Sequence, residues 1–388
     1  MTGLLLALVL AGSSGPATRA ASNAPTERLV YIGTYTGAKS RGIYLSRFDA
    51  TTGRLGPLQL AAESENPSFL ALHPDRPLLY AVNEIAEFEG RPAGSVSAFA
   101  IDAATGALRL LNRVASEGAH PSHLTVDRSG RHVLVANYTG GSVASLPILA
   151  DGSLGAASAF VQHRGSGPNR ERQQGPHAHA VELDDANRHA LVADLGLDQV
   201  LIYRFDAKTG ALAPSRPPHA SVAPGAGPRH LAFGRDGRRL YVLNEMALTV
   251  TVFRYDRGRL SEEQTVSTLP EGTEPRPADS GAEIQVHPGG RFLYVSNRGP
   301  DTISAFAIDA ATGLLSAVGH IPSGGRTPRS FCLDPTGRYL LAANQRSDSV
   351  VVYGIDPRTG RLAPTGQVLA VGAPVCLAFA PPLLPRPR

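Results

Sequence analysis

The chain has 388 residues, 42% of them hydrophobic, and carries a formal net charge of +4. Its lysines and arginines are scattered rather than clustered, which argues against a nucleic-acid surface. Only two cysteines are present, Cys332 and Cys376, with no metal-binding spacing, and they are read as small core residues rather than a disulfide.

Taken in chain order, residues 4–12, "LLLALVLAG", form an apolar run of the length found in secretory signal peptides, and small residues follow. Residues 1–21 are therefore expected to be a signal peptide. Residues 22–380 are expected to be a single domain and 381–388 a Pro-rich tail. After the leader the chain repeats one grammar. "NPSFLALHPDRPLLYAVNE" (66–84), "HPSHLTVDRSGRHVLVANY" (120–138), "AHAVELDDANRHALVADL" (178–195), "GPRHLAFGRDGRRLYVLNE" (227–245), "GAEIQVHPGGRFLYVSNR" (281–298) and "TPRSFCLDPTGRYLLAANQ" (327–345) are its copies. Each is an apolar run, a polar turn and a second apolar run ending in Asn or Asp, the signature of a β-hairpin. A third run ("TVTVFRYD", "TISAFAID") and a short fourth run complete each copy.

Four strands per roughly fifty residues, repeated, predict a β-propeller. The C-terminal run "GAPVCLAFA" is a first strand with nothing after it. The N-terminal runs "RLVYIGTY", "GIYLSRFD" and "GRLGPLQL" lack a first strand before them. Together they supply a seventh blade and close the ring, so the expected fold is an all-β, seven-bladed propeller with no free edge.

In such a ring the start of each first strand and the end of each second strand lie at the same end and converge on one funnel. Aligning the copies places Ser68, Ser122, His179, Arg229, Ala282, Arg329 and Val375 at the first-strand starts. Glu84, Tyr138, Leu195, Glu245, Arg298, Gln345 and Tyr35 follow the second strands. Positions that recur build the blade; positions that differ are the functional candidates. Arginines and glutamates facing one funnel make an anion site with a proton-transfer group. Only one of His177 and His179 is expected to face the funnel, with His179 preferred because it shares the place of Arg229 and Arg329. His123 and His230, one residue further in, are read as structural histidines turned toward the blade interior. The loop "HRGSGPNRERQQ" (163–174) is read as either a solvated loop or a basic lid. No cluster has zinc-ligand spacing, and neither a metal nor a cofactor is expected.

These motifs, with "YIGTYTGAKSRGIY" at the N-terminus, resemble the seven-bladed lactonase family, which contains propeller-type 6-phosphogluconolactonases and carboxy-muconate lactonizing enzymes. The resemblance runs over nearly the whole chain after the leader. It implies a site built from a histidine of the "HAH" strand, the Arg of "PRH", the Glu of "NE" and an arginine of a later blade. Those fall on His177 or His179, Arg229, Glu245 and Arg329. The motifs "AEI" and "SNR" add Glu283, Asn297 and Arg298, and Glu84 and Gln345 complete the expected lining.

The resulting expectation is a metal-independent lactonase, most like 6-phosphogluconolactonase, acting on a small lactone or carboxylate as a monomer or weak dimer. It would be periplasmic or secreted, or cytoplasmic if the leader is not cleaved, without nucleic-acid or membrane partners. Glu245 or one of the paired histidines is read as the general base, Arg229 with a histidine as the oxyanion partner, and Arg298 and Arg329 as the substrate's anion site. Glu245→Gln and Arg229→Ala are expected to remove turnover and leave thermal stability near wild type. A muconate cycloisomerase and a non-catalytic binding propeller are the alternatives.

Overall fold

The computed structural model describes Met1 and residues 27–381. The expected signal peptide and the Pro-rich tail lie outside the described residues, apart from Met1 and Pro381. The rest is seven antiparallel sheets. Six are consecutive four-stranded blades, spanning 70–115, 121–162, 178–221, 228–267, 280–322 and 328–370. The seventh joins the C-terminal strand Pro374–Phe379 to the N-terminal strands Glu27–Thr34 and Gly42–Asp49, with two short outer pieces, Arg54–Leu55 and Gln59–Glu63. Strand order follows the chain in the six consecutive blades, and among the described residues helix is limited to the single 3-10 turn Gln345–Ser347.

Burial explains why the strands read differently. The second strands, such as Leu78–Asn83 and His132–Asn137, are buried at every position, because both faces are covered by neighbouring blades, and their sequences are continuous apolar runs. The outermost strand Arg259–Ser267 is mostly exposed and accordingly charged. The core is therefore not central but lies between blades: Tyr80 and Val82 of the first blade pack on Leu124, Val133 and Val135 of the second, and the pattern continues round the ring.

The recurring polar residues tie blade to blade. Tyr31, Tyr80, Tyr241 and Tyr294 each donate a hydroxyl hydrogen bond to the carbonyl of a turn glycine in the next blade, Gly106, Gly152, Gly313 and Gly360. His73 and His287, expected to be structural turn residues, pair with the carbonyls of Gly130 and Gly337 of the next blade. Asn83, Asn137, Asn297 and Asn344, ending the second strands, donate to the carbonyls of Glu65, Ser116, Thr268 and Ser323, which lie in the crossovers from the preceding blade. The crossovers are thereby pinned at the funnel end. In the third blade Asp194 replaces the asparagine. Its carboxylate accepts the backbone N–H of His177 and Gly196 and pairs with His163 at 2.6 Å. The change of residue type coincides with a longer crossover, residues 163–177.

Candidate active site

At the funnel end the first strands share a local irregularity. Register shifts by one residue after Pro121, Ala178, Pro228, Pro328 and Pro374, so that Ser122, His179, Arg229, Arg329 and Val375 are each the extra residue of a β-bulge. A bulge bends its strand and re-aims one side chain. The first-strand positions that differ from blade to blade are thus the residues the backbone turns toward the axis.

Glu245 is the hub. It follows the second strand of the fourth blade and is only 5% exposed. Its Oε2 lies 3.0 Å from Arg229 Nε, 2.9 Å from Arg298 Nη2 and 4.0 Å from His179 Nε2, and its Oε1 lies 2.6 Å from Arg172 Nη2. Burial opposes the charge, but Arg298, Arg229 and Arg172 overcome it and hold the carboxyl down at about 2. Arg229, 2% exposed, shifts in the opposite sense to an ordinary ion-pair partner. Burial and the charges of Arg298 and Arg329 pull it to about 9 despite Glu245. A surplus of cations acts in both shifts, with burial the larger influence on Arg229. Four guanidiniums, from Arg172, Arg229, Arg298 and Arg329, face two carboxylates, Glu245 and Glu84. Arg329 lies over the Tyr35 ring at 5.2 Å and 4.0 Å from Glu84, which accepts the Tyr35 hydroxyl at 2.8 Å.

The paired histidines are both at the mouth, which corrects the expectation that only one would be. His177 lies before the strand and His179 is its bulged residue, so strand alternation does not separate them, and Tyr138 touches both. His177 stacks on its ring at 4.6 Å and His179 meets it edge-on at 5.3 Å. His177 precedes the strand and is half-buried; its Nδ1 lies 3.1 Å from the Tyr138 carbonyl. His179 is buried, held neutral by burial and by Arg229, and its Nδ1 has no hydrogen-bond partner.

His123 and His230 do not turn into the blades. With Phe69 they form an aromatic floor across the channel: Phe69 and His123 are 4.1 Å apart, His123 and His230 5.4 Å, and His179 contacts His230 at 5.2 Å. The bulge explains the difference, since it breaks the alternation counted from the strand start. Below the floor a cavity of about 360 Å³ opens toward the other end of the ring, lined by Arg128, Glu182, Glu283 and Gln285. Glu283, expected at the funnel, belongs to this cavity. Its Oε1 lies 3.2 Å from His230 Nδ1, and burial pushes the carboxyl up to about 7. Burial and the charge of Glu283 push Glu182 up to about 8. A larger groove of about 1050 Å³, between the outer strands around Arg338, Asp356 and Arg361, sits at the opposite end from the arginines and contains none of this chemistry.

Of the expected lining residues, Glu84, Arg298 and Arg329 are at the mouth. Asn297 is not: its amide is fully buried and bonded to Thr268, Thr302 and Ser304, so it is a blade tie rather than a binding residue. Gln345 opens the 3-10 turn and is half-buried, with its backbone N–H on the Thr327 carbonyl. Arg172, Tyr138 and Tyr35 were absent from the expected site. The tyrosines stood at aligned mouth positions; Arg172 lies in a crossover where the repeat provides no register. Among the described residues no group of three His, Cys, Asp or Glu side chains has metal-binding geometry.

Several proteins similar to this chain over most of its length are lactonases. The Bacillus subtilis 6-phosphogluconolactonase is 35% identical over 80% of this chain and 86% of its own length. The Formosa agariphila 6-phosphogluconolactonase is 32% identical over 79% of this chain and 86% of its own. The solved structure of the Pseudomonas aeruginosa periplasmic gluconolactonase is 34% identical, covers 92% of this chain and 99% of that one, and superposes with a TM-score of 0.86. With residues 29–379 also matching the family described as lactonase, 7-bladed beta-propeller, this chain belongs to the seven-bladed β-propeller lactonase family.

Proposed function

We propose that the chain hydrolyses a sugar lactone at the funnel, with 6-phospho-D-glucono-1,5-lactone the first substrate to test. The observation that carries the reading is the Arg229–Glu245–Arg298 cluster beside a neutral, buried histidine whose Nδ1 has no hydrogen-bond partner. The names of the relatives point the same way. The cycloisomerase alternative has no support among them and is set aside.

Hydrolysis requires water to lose a proton as it attacks the ester carbonyl, an oxyanion to be stabilised, and the ring C–O bond to break with a proton delivered to the leaving oxygen. Glu245 is a poor base, since a carboxyl held at about 2 rarely takes a proton at neutral pH. The base is assigned to His179 instead. Its buried Nδ1 has no protein partner that would compete with a water carried in with the substrate, and its Nε2 faces Glu245, whose charge would stabilise the imidazolium. The same nitrogen returns the proton to the ring oxygen. Arg229 uses Nε for Glu245 and Nη1 for the Ala282 carbonyl, which leaves Nη2 for the developing oxyanion. Arg298, Arg329 and Glu84 hold the sugar's polar groups, with His177 and Tyr138 as one wall. We also infer export, from the apolar run at 4–12 and the periplasmic relative; N-terminal sequencing of the mature protein tests it.

The main test is a lactone panel (6-phosphogluconolactone, glucono-1,5-lactone and carboxymuconolactone) with wild type and His179→Gln. Turnover of a sugar lactone that falls about a hundredfold or more in the variant is expected for loss of a general base. A protein that binds these lactones and turns none over is a binding propeller, and the reading fails.

A further inference from the structure

The crossover 163–174 is built to deliver one side chain. His163 anchors its start on Asp194 at 2.6 Å, and Gln173 anchors its end, donating to the Leu195 carbonyl at 2.8 Å and to Asp198 at 2.7 Å. Between these pins the chain folds on itself. Asn169 Oδ1 accepts the backbone N–H of Glu171 and Arg172, while Gln173 accepts from Asn169 through Oε1 and from Gly167 through its carbonyl. This compact turn directs Arg172 to the funnel, where Nη2 meets Glu245 at 2.6 Å and the Tyr138 hydroxyl at 3.3 Å.

Arg172 differs from the other two arginines on Glu245. Arg229 and Arg298 rise from blade strands, expose only 2% and 15% of their side chains, and also bond backbone carbonyls, Ala282 and Gly281. Arg172 sits on a loop with 43% of its side chain exposed, and takes Oε1 while the others share Oε2. It is the one guanidinium of the hub that can change partner, because Glu245 keeps two arginines when it leaves. The mouth holds more guanidiniums than carboxylates, so an incoming anion finds positive charge that Glu245 and Glu84 do not balance. A planar guanidinium with bidentate geometry suits phosphate or carboxylate.

We infer that Arg172 is the specificity-determining residue for lactones bearing a remote anionic group, exchanging its resting contact with Glu245 for that group when substrate enters. The inference rests on the lactonase reading and adds the side chain that would tell a sugar lactone with a phosphate or carboxylate away from the ester from a neutral one. Glu245 then acts as a placeholder that keeps Arg172 extended over the empty funnel, so little ordering is required on binding. Because the contact is remote from the ester, the effect is expected in KM rather than kcat.

The experiment compares wild type, Arg172→Gln, Arg172→Lys and Arg170→Gln on three lactones: 6-phosphogluconolactone, glucaro-1,4-lactone with its free carboxylate, and neutral glucono-1,5-lactone. Arg172→Gln is expected to raise KM about tenfold or more for the anionic lactone that wild type prefers, relative to the neutral one. Arg172→Lys is expected to recover part of the loss, as a positioning role without charge contact would not. Arg170→Gln, which removes an exposed cation from the same turn, is expected to leave the ratio within about twofold, which separates contact from general attraction. Parallel changes on charged and neutral lactones in Arg172→Gln would overturn the inference, as would equal losses in Arg170→Gln. If wild type turns over no lactone, the lactonase reading fails separately. Protection against thermal unfolding by inorganic phosphate then decides the anion contact, with protection in wild type and none in Arg172→Gln supporting it and equal protection refuting it.

Discussion

Glu245→Gln tests the electrostatic account of the funnel more sharply than any loss of activity. The substitution keeps shape and one acceptor oxygen, removes the charge and turns the other oxygen into an NH2 donor facing an arginine. A carboxyl held at about 2 instead of its ordinary 4.5 corresponds to about 3 kcal/mol of folding stability. Because the folded value is depressed, that stability is fully present above pH about 4.5 and is lost as pH falls toward 2. Removing the acid also leaves Arg229, Arg298 and Arg172 facing one another, and breaking buried pairs costs about 3–5 kcal/mol. The two figures agree, and for a domain this large about 3 kcal/mol lowers Tm by about 4 °C. This replaces the expectation from sequence that the variant would keep wild-type stability. The assay is thermal unfolding of both proteins from pH 8 down to pH 3. The deficit should be constant from pH 8 to about 5 and shrink below it, and sulfate should recover part of it by occupying the vacated charge. A variant as stable as wild type at pH 7, or a deficit independent of pH, would refute the reasoning.

The remaining variants probe single roles. Arg229→Ala should cost about a hundredfold to a thousandfold in kcat if its Nη2 meets the oxyanion; activity within tenfold of wild type, by initial-rate assay, would remove it from that role. Glu283→Gln should behave oppositely to Glu245→Gln. Its folded carboxyl stays protonated up to about 7, so wild-type stability falls as pH rises from 4.5 to 7, by about 3 kcal/mol. The variant should match wild type near pH 4.5 and exceed it at pH 8, and a pH-independent difference in Tm would count against the channel assignment. Asn297→Ala should cost about 2–3 kcal/mol, because the Thr268 and Ser304 groups lose a buried partner, while KM on the preferred lactone stays within about twofold. A large rise in KM would return Asn297 to the site.

The repeat made the ring, its closure and the funnel legible in the sequence. A structure whose strands are fixed by continuous apolar runs and whose turns recur gives the same signal six times over, and the tyrosine, histidine and asparagine ties are part of that signal. The mouth was legible for the same reason read in reverse, since Arg229, Glu245, Arg298 and Arg329 occupy aligned positions where residue type changes. What was not legible depended on single-residue geometry. One extra residue per first strand re-aims Arg229 and His179 and also sends His123 and His230 to the axis. Counting alternation from the strand start therefore mistook those two for blade-interior residues.

The same bulges give the channel its polarity. Above the floor of Phe69, His123 and His230 the surplus is cationic and Glu245 is kept charged; below it Glu182 and Glu283 face a cavity with Arg128 and are kept protonated to near neutral pH. Both sets come from the same strands, one residue apart in places: Arg229 faces up and His230 bonds down to Glu283. A histidine layer that stays neutral does not add charge to either side. It therefore lets the mouth retain a net positive charge in a buried setting, where an anionic substrate or a developing oxyanion is the missing counter-charge. Placing a cation at a lower residue, as in Glu283→Lys, should weaken folding and leave KM little changed, whereas Arg298→Glu should raise KM sharply in addition to the stability lost with the Glu245 pair. Folding stability and KM measured on the two variants would separate the two halves of the channel, and equal effects on KM would show that the floor does not divide them.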